Sequence, residues 1–241
     1  MTILELDFGN TSLKWRKITA NKKSVVSRLA YADMQLALHD FGAFDRVRCA
    51  SVLTHLVTQQ YLQLLGIGSV EMARSDKLVP GFINAYTKPE KLGVDRWLAA
   101  LAAKLEAGVL GCLVIDCGTA ITVDYINDMG VFEGGYILAG KQLLQSALLK
   151  DTASVRFDRK SNTQNWPAWP KDTAQAVQWG ADFIVMAVIE RAIKQVQAMQ
   201  GNSEFAIYLT GGDAADVARQ LGNTVQYRPD LVLDGLAIAL P

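Results

Sequence analysis

Three aspartates carry the chemistry available to this sequence. Asp7 and Asp116 each end an apolar run and open a D-x-G turn of small residues, whereas Asp95 stands two residues after Gly93 at the start of an amphipathic segment. A carboxylate at a strand end can hold a cation, directly or through water, beside phosphate oxygens. The glycine two residues on permits backbone geometry closed to other residues, and small neighbours let main-chain amides approach a ligand. A positioned carboxylate can also accept the proton of an attacking hydroxyl. Phosphoryl transfer relies mainly on positioning and charge stabilisation, so two phosphate-holding turns and one carboxylate base form a sufficient inventory.

The two turns belong to an internal repeat. Residues 3–15 read ILELDFGNTSLKW and residues 113–125 read LVIDCGTAITVDY; laying Asp7 on Asp116 brings Gly9 onto Gly118, with Asn10 and Thr11 facing Thr119 and Ala120. Each copy is an apolar strand, a turn and a second alternating strand. One D-x-G alone is an ordinary hairpin turn. Two in the same context imply two lobes that present turns to a shared cleft. A third element, FAIYLTGGDAADVARQL at 205–221, reads as strand, T-G-G-D turn and amphipathic helix, with Asp213 placed to cap the helix and the double glycine opening its N-terminus to a ligand. Neither a G-x-x-x-x-G-K-[ST] string nor a G-x-G-x-x-G after a strand occurs, so the phosphate grip is of another design.

Between the repeats, NAYTKPEKLGVDRWLAALAAKLEA puts Pro89 and Gly93 in a loop and starts a helix at about Val94, with Asp95 and Arg96 in its first turn. Asp95 is then either an acid that favours the helix dipole or the base of the reaction. Arg96 is either a surface cation or the partner of an anionic group. Tyr86 either lines a substrate pocket or packs as a strand residue.

The elements that must position these groups alternate in an α/β pattern. Periodicity predicts strands at 12–18, 24–28, 44–50, 112–117, 121–126 and 205–209, and helices at 54–65, 94–107, 140–149, 174–199 and 213–221. The long helix is apolar around its middle and is expected to pack between layers or subunits. A Trp- and Pro-bearing stretch, about 156–172, is the lid candidate. The repeat sets a lobe boundary near residue 112, dividing an N-terminal lobe, 1–112, from a C-terminal lobe, 113–241.

Composition narrows the function classes. The 24 basic and 24 acidic residues balance, which leaves no footprint for nucleic acid or a membrane surface. Charges interrupt every apolar run before the roughly 18 residues of a membrane span. Glu5 and Asp7 stand where a signal peptide needs an uncharged stretch, so a cytoplasmic location is expected. Cys49, Cys112 and Cys117 lie in apolar runs and read as buried thiols; His39 and His55 lack companions for a metal or a nucleophilic triad.

Taken in order, these pieces resemble the type III pantothenate kinases of bacterial coenzyme A synthesis. The matching strings are DFGNTS at 7–12, the segment from Tyr86 through Leu-Gly-Val-Asp-Arg to Arg96, DCGTA at 116–120, GGYI at 134–137, TAQAVQWG at 173–180 and TGGDA at 210–214. The resemblance runs over nearly the whole chain. It implies an acetate-kinase/Hsp70/actin-type fold, with two ribonuclease-H-like lobes, ATP between them and the last helix, 231–241, returning to the first lobe. The implied reaction converts ATP and pantothenate to 4′-phosphopantothenate and ADP. Carried onto this sequence, Asp7, Phe8, Gly9, Asn10, Thr11, Ser12, Leu13, Lys14 and Thr119 would contact ATP, and Asp95 would accept the proton. Tyr86, Gly93, Val94, Asp95, Arg96 and Thr173 would contact pantothenate, with Thr173 reaching the neighbouring site of a homodimer. Asp116 would hold a monovalent cation, potassium or ammonium, and magnesium would accompany ATP. The sequence departs from the family at Ala139, where proline usually precedes Gly140, and at Lys171, near a common glycine. Two rivals are a non-catalytic, transcription-accessory relative and a kinase of the same fold acting on another small alcohol or acid. The first would be expected to have lost Asp7, Asp95 or Asp116. The short chain and the G-x-D-R segment count against the second.

Overall fold

In the computed structural model, which describes residues 1–241 apart from 37–40, 152–168 and 202, the first repeat forms the middle of a sheet. Strand β1 (Thr2–Phe8) is buried on both faces, as a central strand must be. It turns at residues 9–11 into antiparallel β2 (Ser12–Thr19), whose outer edge carries β3 (Lys22–Lys23) and β4 (Ser27–Ala30). On its other side β1 pairs in parallel with β5 (Arg46–Ser51), which is followed by helix α1 (His55–Leu64) and edge strand β6 (Glu71–Met72). The order is therefore β3-β2-β1-β5-β6. Leu4, Leu6 and Phe8 point to one face of β1 and pack with Leu13, Met34, Leu62 and Leu65. Ile3, Glu5 and Asp7 point to the other.

The chain continues through β7 (Ile83–Asn84) and helix α2 (Val94–Ala107) into the second repeat, β8 (Gly111–Cys117) and β9 (Ala120–Ile126). Then come β10 (Val131–Ala139), α3 (Lys141–Asp151), α4 (Thr173–Gln200), β11 (Phe205–Thr210), α5 (Ala214–Leu221), β12 (Gln226–Tyr227) and α6 (Leu231–Ala239). The second sheet runs β12-β11-β8-β9-β10-β7. Its centre, β8, is antiparallel to β9 and parallel to β11, as β1 is to β2 and β5. The same ribonuclease-H-like order thus occurs twice, which is the acetate-kinase/Hsp70/actin arrangement. Among the described residues no helix is long and apolar enough to cross a membrane.

Two helices lie between the sheets. Every residue of α2 from Arg96 to Ala103 is buried, and the alanines keep that helix slim enough to pack against β8 and β9 on one side and β5 on the other. Helix α6 packs on α2, β1 and β5. Gly235 of α6 rides on the α2 backbone: a β-carbon there would stand 2.0 Å from the Leu98 carbonyl oxygen. Cations secure the end of the chain. Asp234 accepts bonds from Arg16 (2.8 Å) and Lys23 (2.5 Å), while Lys77 donates to the Ala239 carbonyl and Arg46 to that of Pro241. Such donors satisfy carbonyls at a helix C-terminus and complement its dipole.

Helix α4 packs by Val185, Ile189, Ala192 and Val196 on the outer face of the second sheet, as a layer. All three cysteines are buried and free. Strand β10 was missing from the periodicity reading because Gly134 and Gly135 interrupt its alternation, and a register shift falls beside them. Strands β6, β7 and β12 are two residues each, too short for any periodicity. The strand expected at 24–28 is displaced to Ser27–Ala30, after the two-residue β3. Positions 156–168 of the lid candidate, and His39, lie outside the described residues.

Candidate active site

All three turns open into one cleft of about 330 Å³ between the lobes, and Asp7, Asp95 and Asp116 line it together. In the first turn the Gly9 amide donates to the carbonyls of Asp7 and Ser12, 3.2 Å each. Tyr31 donates its hydroxyl to the Gly9 carbonyl, and its ring stacks on Tyr61 at 4.7 Å, so the turn is braced from behind. In the second turn the Gly118 amide donates to the Ala120 carbonyl at 3.0 Å. The two turns meet: the hydroxyls of Thr11 and Thr119 lie 2.8 Å apart. The third turn packs on the second. Gly211 has φ +97°, and a β-carbon there would be 2.3 Å from Asp116 Oδ1 and 2.5 Å from the Cys117 carbonyl oxygen. Asp213 occupies the position before α5, but its side chain makes no capping bond, contrary to expectation. Its amide donates to the Cys117 carbonyl at 2.9 Å, and the residue lines the cleft.

Asp95 is half-buried in the first turn of α2. Its Oδ1 accepts from the Arg96 amide at 2.8 Å. Gly93 clears the space that this carboxylate occupies, since a β-carbon at Gly93 would be 2.7 Å from Oδ1. Burial pushes Asp7 up to about 7, opposed by Lys14 and reinforced by Asp95 and Asp116. Asp116 is raised to about 6 by burial, again opposed by Lys14 and reinforced by Asp95. Three acids repel one another within a partly desolvated cleft. Such an arrangement favours a bound cation, because any positive charge placed there relieves both the burial cost and the repulsion.

The remaining expected residues fall into separate groups. Asn10, Ser12 and Lys14 line the cleft, whereas the side chains of Phe8 and Leu13 are buried in the first-lobe core. Gly93 and Val94 line an adjoining pocket of about 430 Å³, which also includes Ser51, Arg74 and Lys91; Val52 is common to the two cavities. Arg96 is not a surface cation: it is buried, and its Nε lies 3.1 Å from each carboxylate oxygen of Asp124. Its Nη1 donates to the Tyr86 hydroxyl at 2.9 Å, and its guanidinium sits over the Tyr86 and Phe132 rings. Burial raises the Asp124 carboxyl while Arg96 draws it back down. A buried, paired and stacked guanidinium fixes the start of α2, and with it Asp95, to the second lobe. Thr173 opens α4, behind an N-cap formed by Asp172, and is exposed outside the cleft of its own chain.

Sequence reading passed over Arg28, Thr122, Asp124 and Gln142. Thr122 and Asp124 stood on the second strand of the repeat, where alternation was a usable signal. Arg28 and Gln142 reach the cleft only through strand pairing and helix placement.

Comparison with known proteins places the chain in one family. A family model described as Type III pantothenate kinase matches residues 3–195. The Type III pantothenate kinase of Pseudomonas aeruginosa is 36% identical over 251 residues, covering 99% of both chains. That of Chromohalobacter salexigens is 33% identical over 246 residues, covering 99% of this chain and 87% of the relative. Among solved structures, a conserved protein assigned to the Baf family of transcriptional activators, from Campylobacter jejuni, superposes with a TM-score of 0.62 at 23% identity, covering 97% of this chain and 95% of the other. That last likeness concerns the fold.

Proposed function

The chain belongs to the type III pantothenate kinase family and is a kinase, and from that premise we propose that it phosphorylates pantothenate to 4′-phosphopantothenate with Asp95 as the proton acceptor. The observation that carries this reading is the convergence of Asp7, Asp95 and Asp116 on one cleft whose two repeat turns touch through Thr11 and Thr119. The main-chain amides and small side chains of residues 9–12 and of Thr119 hold the phosphates of ATP, together with Lys14; Phe8 and Leu13 contribute backbone only. The primary hydroxyl of pantothenate attacks the γ-phosphorus. Its oxygen bonds to phosphorus, the bond to the β,γ-bridging oxygen breaks, its proton passes to Asp95, and ADP leaves with the bridging electron pair. Gly93 and Val94 line the alcohol's approach, and Arg96 with Tyr86 sets the angle at which Asp95 faces it.

The donors suit cations: carboxylate oxygens are hard ligands, and burial has raised two of them. Asp116 would hold potassium or ammonium and, with Asp7, border the magnesium that arrives with ATP; bound magnesium supplies charge neutralisation on the phosphates. Among the described residues no three acidic, cysteine or histidine side chains gather at metal-binding distance, so nucleotide and water oxygens would complete either shell. The working units are an N-terminal lobe, 1–112, joined by 231–241, and a C-terminal lobe from 113 onward, with α2 as the piece of the first that packs on the second. A homodimer, with Thr173 serving the neighbouring site, is supported by exposed apolar side chains on adjacent elements: Tyr136 and Ile137 of β10, Leu143 of α3, and Phe183 and Ile184 of α4. A cytoplasmic location is part of this proposal, since the reaction draws on ATP.

The test is ADP release with pantothenate against a panel of other small alcohols, with and without potassium. Asp95→Asn should lower turnover by roughly 10²–10⁴-fold while ATP still binds. Near-wild-type turnover would remove Asp95 from the mechanism, and preference for another alcohol would replace the substrate.

A further inference from the structure

Strand β4 sits at the outer edge of the first sheet and carries one charged residue, Arg28, directly opposite Lys14 of β2. Like charges facing across a strand pair repel, and such a pair is normally selected against. Here both side chains lie in the cleft wall, and among the described residues neither has a hydrogen-bond or ion-pair partner. Arg28 also reaches across the gap. Its Nη1 would lie 3.8 Å from a β-carbon on Gly212, in the third turn of the opposite lobe. Behind that turn, Gly211 packs on Asp116, so the guanidinium points at the junction of the second and third turns. Its positive field is felt at both Asp7 and Asp116.

We propose that Arg28 is a phosphate-contacting residue: from the first lobe its guanidinium holds the polyphosphate chain of the nucleotide against the Gly211–Gly212 turn of the second. An unpaired guanidinium presents parallel N–H donors that match two non-bridging phosphate oxygens, which a lysine ammonium cannot do in the same plane. Lys14 and Arg28 together would offset charge that the neighbouring acids oppose, and their mutual repulsion would be relieved only with the anion present. Because Arg28 and the glycine turn belong to different lobes, the bound phosphate chain would also tie the lobes together. The proposal rests on the cleft being the ATP site.

The experiment measures binding of ATP, inorganic tripolyphosphate and adenosine by calorimetry, alongside steady-state kinetics, for the wild type, Arg28→Gln and Arg28→Lys. The Arg28 side chain is exposed and has no hydrogen-bond or ion-pair partner among the described residues, so both variants should fold and melt close to the wild-type temperature. Arg28→Gln should weaken ATP and tripolyphosphate by a common factor of about 10–100 and lower kcat/KM for ATP by as much. Adenosine affinity and the KM for pantothenate should stay within about twofold, and Arg28→Lys should recover part of the loss. ATP and tripolyphosphate binding within about threefold of wild type, or an equal loss for adenosine, would overturn the assignment. A wild-type protein that binds ATP yet leaves pantothenate unphosphorylated would instead defeat the substrate reading, and the binding series would still decide the role of Arg28.

Discussion

Gly235→Ala adds a single methyl group to α6, and the geometry sets what that methyl must do. The new carbon would sit 2.0 Å from the Leu98 carbonyl oxygen, 2.5 Å from its carbonyl carbon and 2.8 Å from its α-carbon. All three are backbone atoms of α2, so no rotamer change relieves the contact, and the helices must part by about 1 Å to reach the closest separation that real β-carbons tolerate. Alanine returns about 1 kcal/mol through helix propensity. Overpacking against rigid backbone costs about 3 kcal/mol, the upper end of the usual range. The net loss is about 2 kcal/mol, which for a chain of this size lowers Tm by roughly 4–8 °C. The displacement also falls on function, since α2 carries Asp95 and Val232 of α6 lines the cleft. Misplacing a reacting group by about 1 Å can cost about 10²-fold in rate. Differential scanning calorimetry and turnover with saturating substrates, read on the same preparation, check both effects. Wild-type Tm together with wild-type turnover would show that the α2–α6 contact neither limits packing nor positions the base.

Asp116→Ala should abolish or weaken stimulation by potassium or ammonium, measured as turnover against salt at constant ionic strength; unchanged stimulation would place the cation elsewhere. The raised carboxyl of Asp7, at about 7 against an ordinary value near 4, gives a signed pH dependence. Between those values the folded protein binds more protons than the unfolded chain, so this group's contribution to stability is greatest at low pH and is lost as pH rises toward 7. Asp7→Asn should therefore flatten the decline of nucleotide-free stability from pH 4 to 7 in urea titrations, and a decline of unaltered steepness would contradict the assignment.

Much of the site was legible in the chain itself. The D-x-G repeat, the T-G-G-D turn and the acid at the head of a helix are local patterns, because a turn must be built from consecutive residues whose backbone angles those residue types permit. Strands β2, β5, β8, β9 and β11 and helices α1 to α5 follow from periodicity for the same reason, and β1 from the repeat. The convergence of Asp7, Asp95 and Asp116 could be argued only from symmetry until the two sheets were seen to share one topology around α2 and α6. What no local pattern carries is the partner chosen across the fold. Arg96 reads equally well as a solvated cation, and only the closing of β9 over α2 brings Asp124 to it. Arg28 gains its place from the pairing of short β4 with β2, and Gly235 its necessity from the approach of a helix more than 120 residues away in sequence. Local residue chemistry chose the turns and the helices; long-range packing, which depends on shape and on charge left unpaired, decided which of these groups face one another.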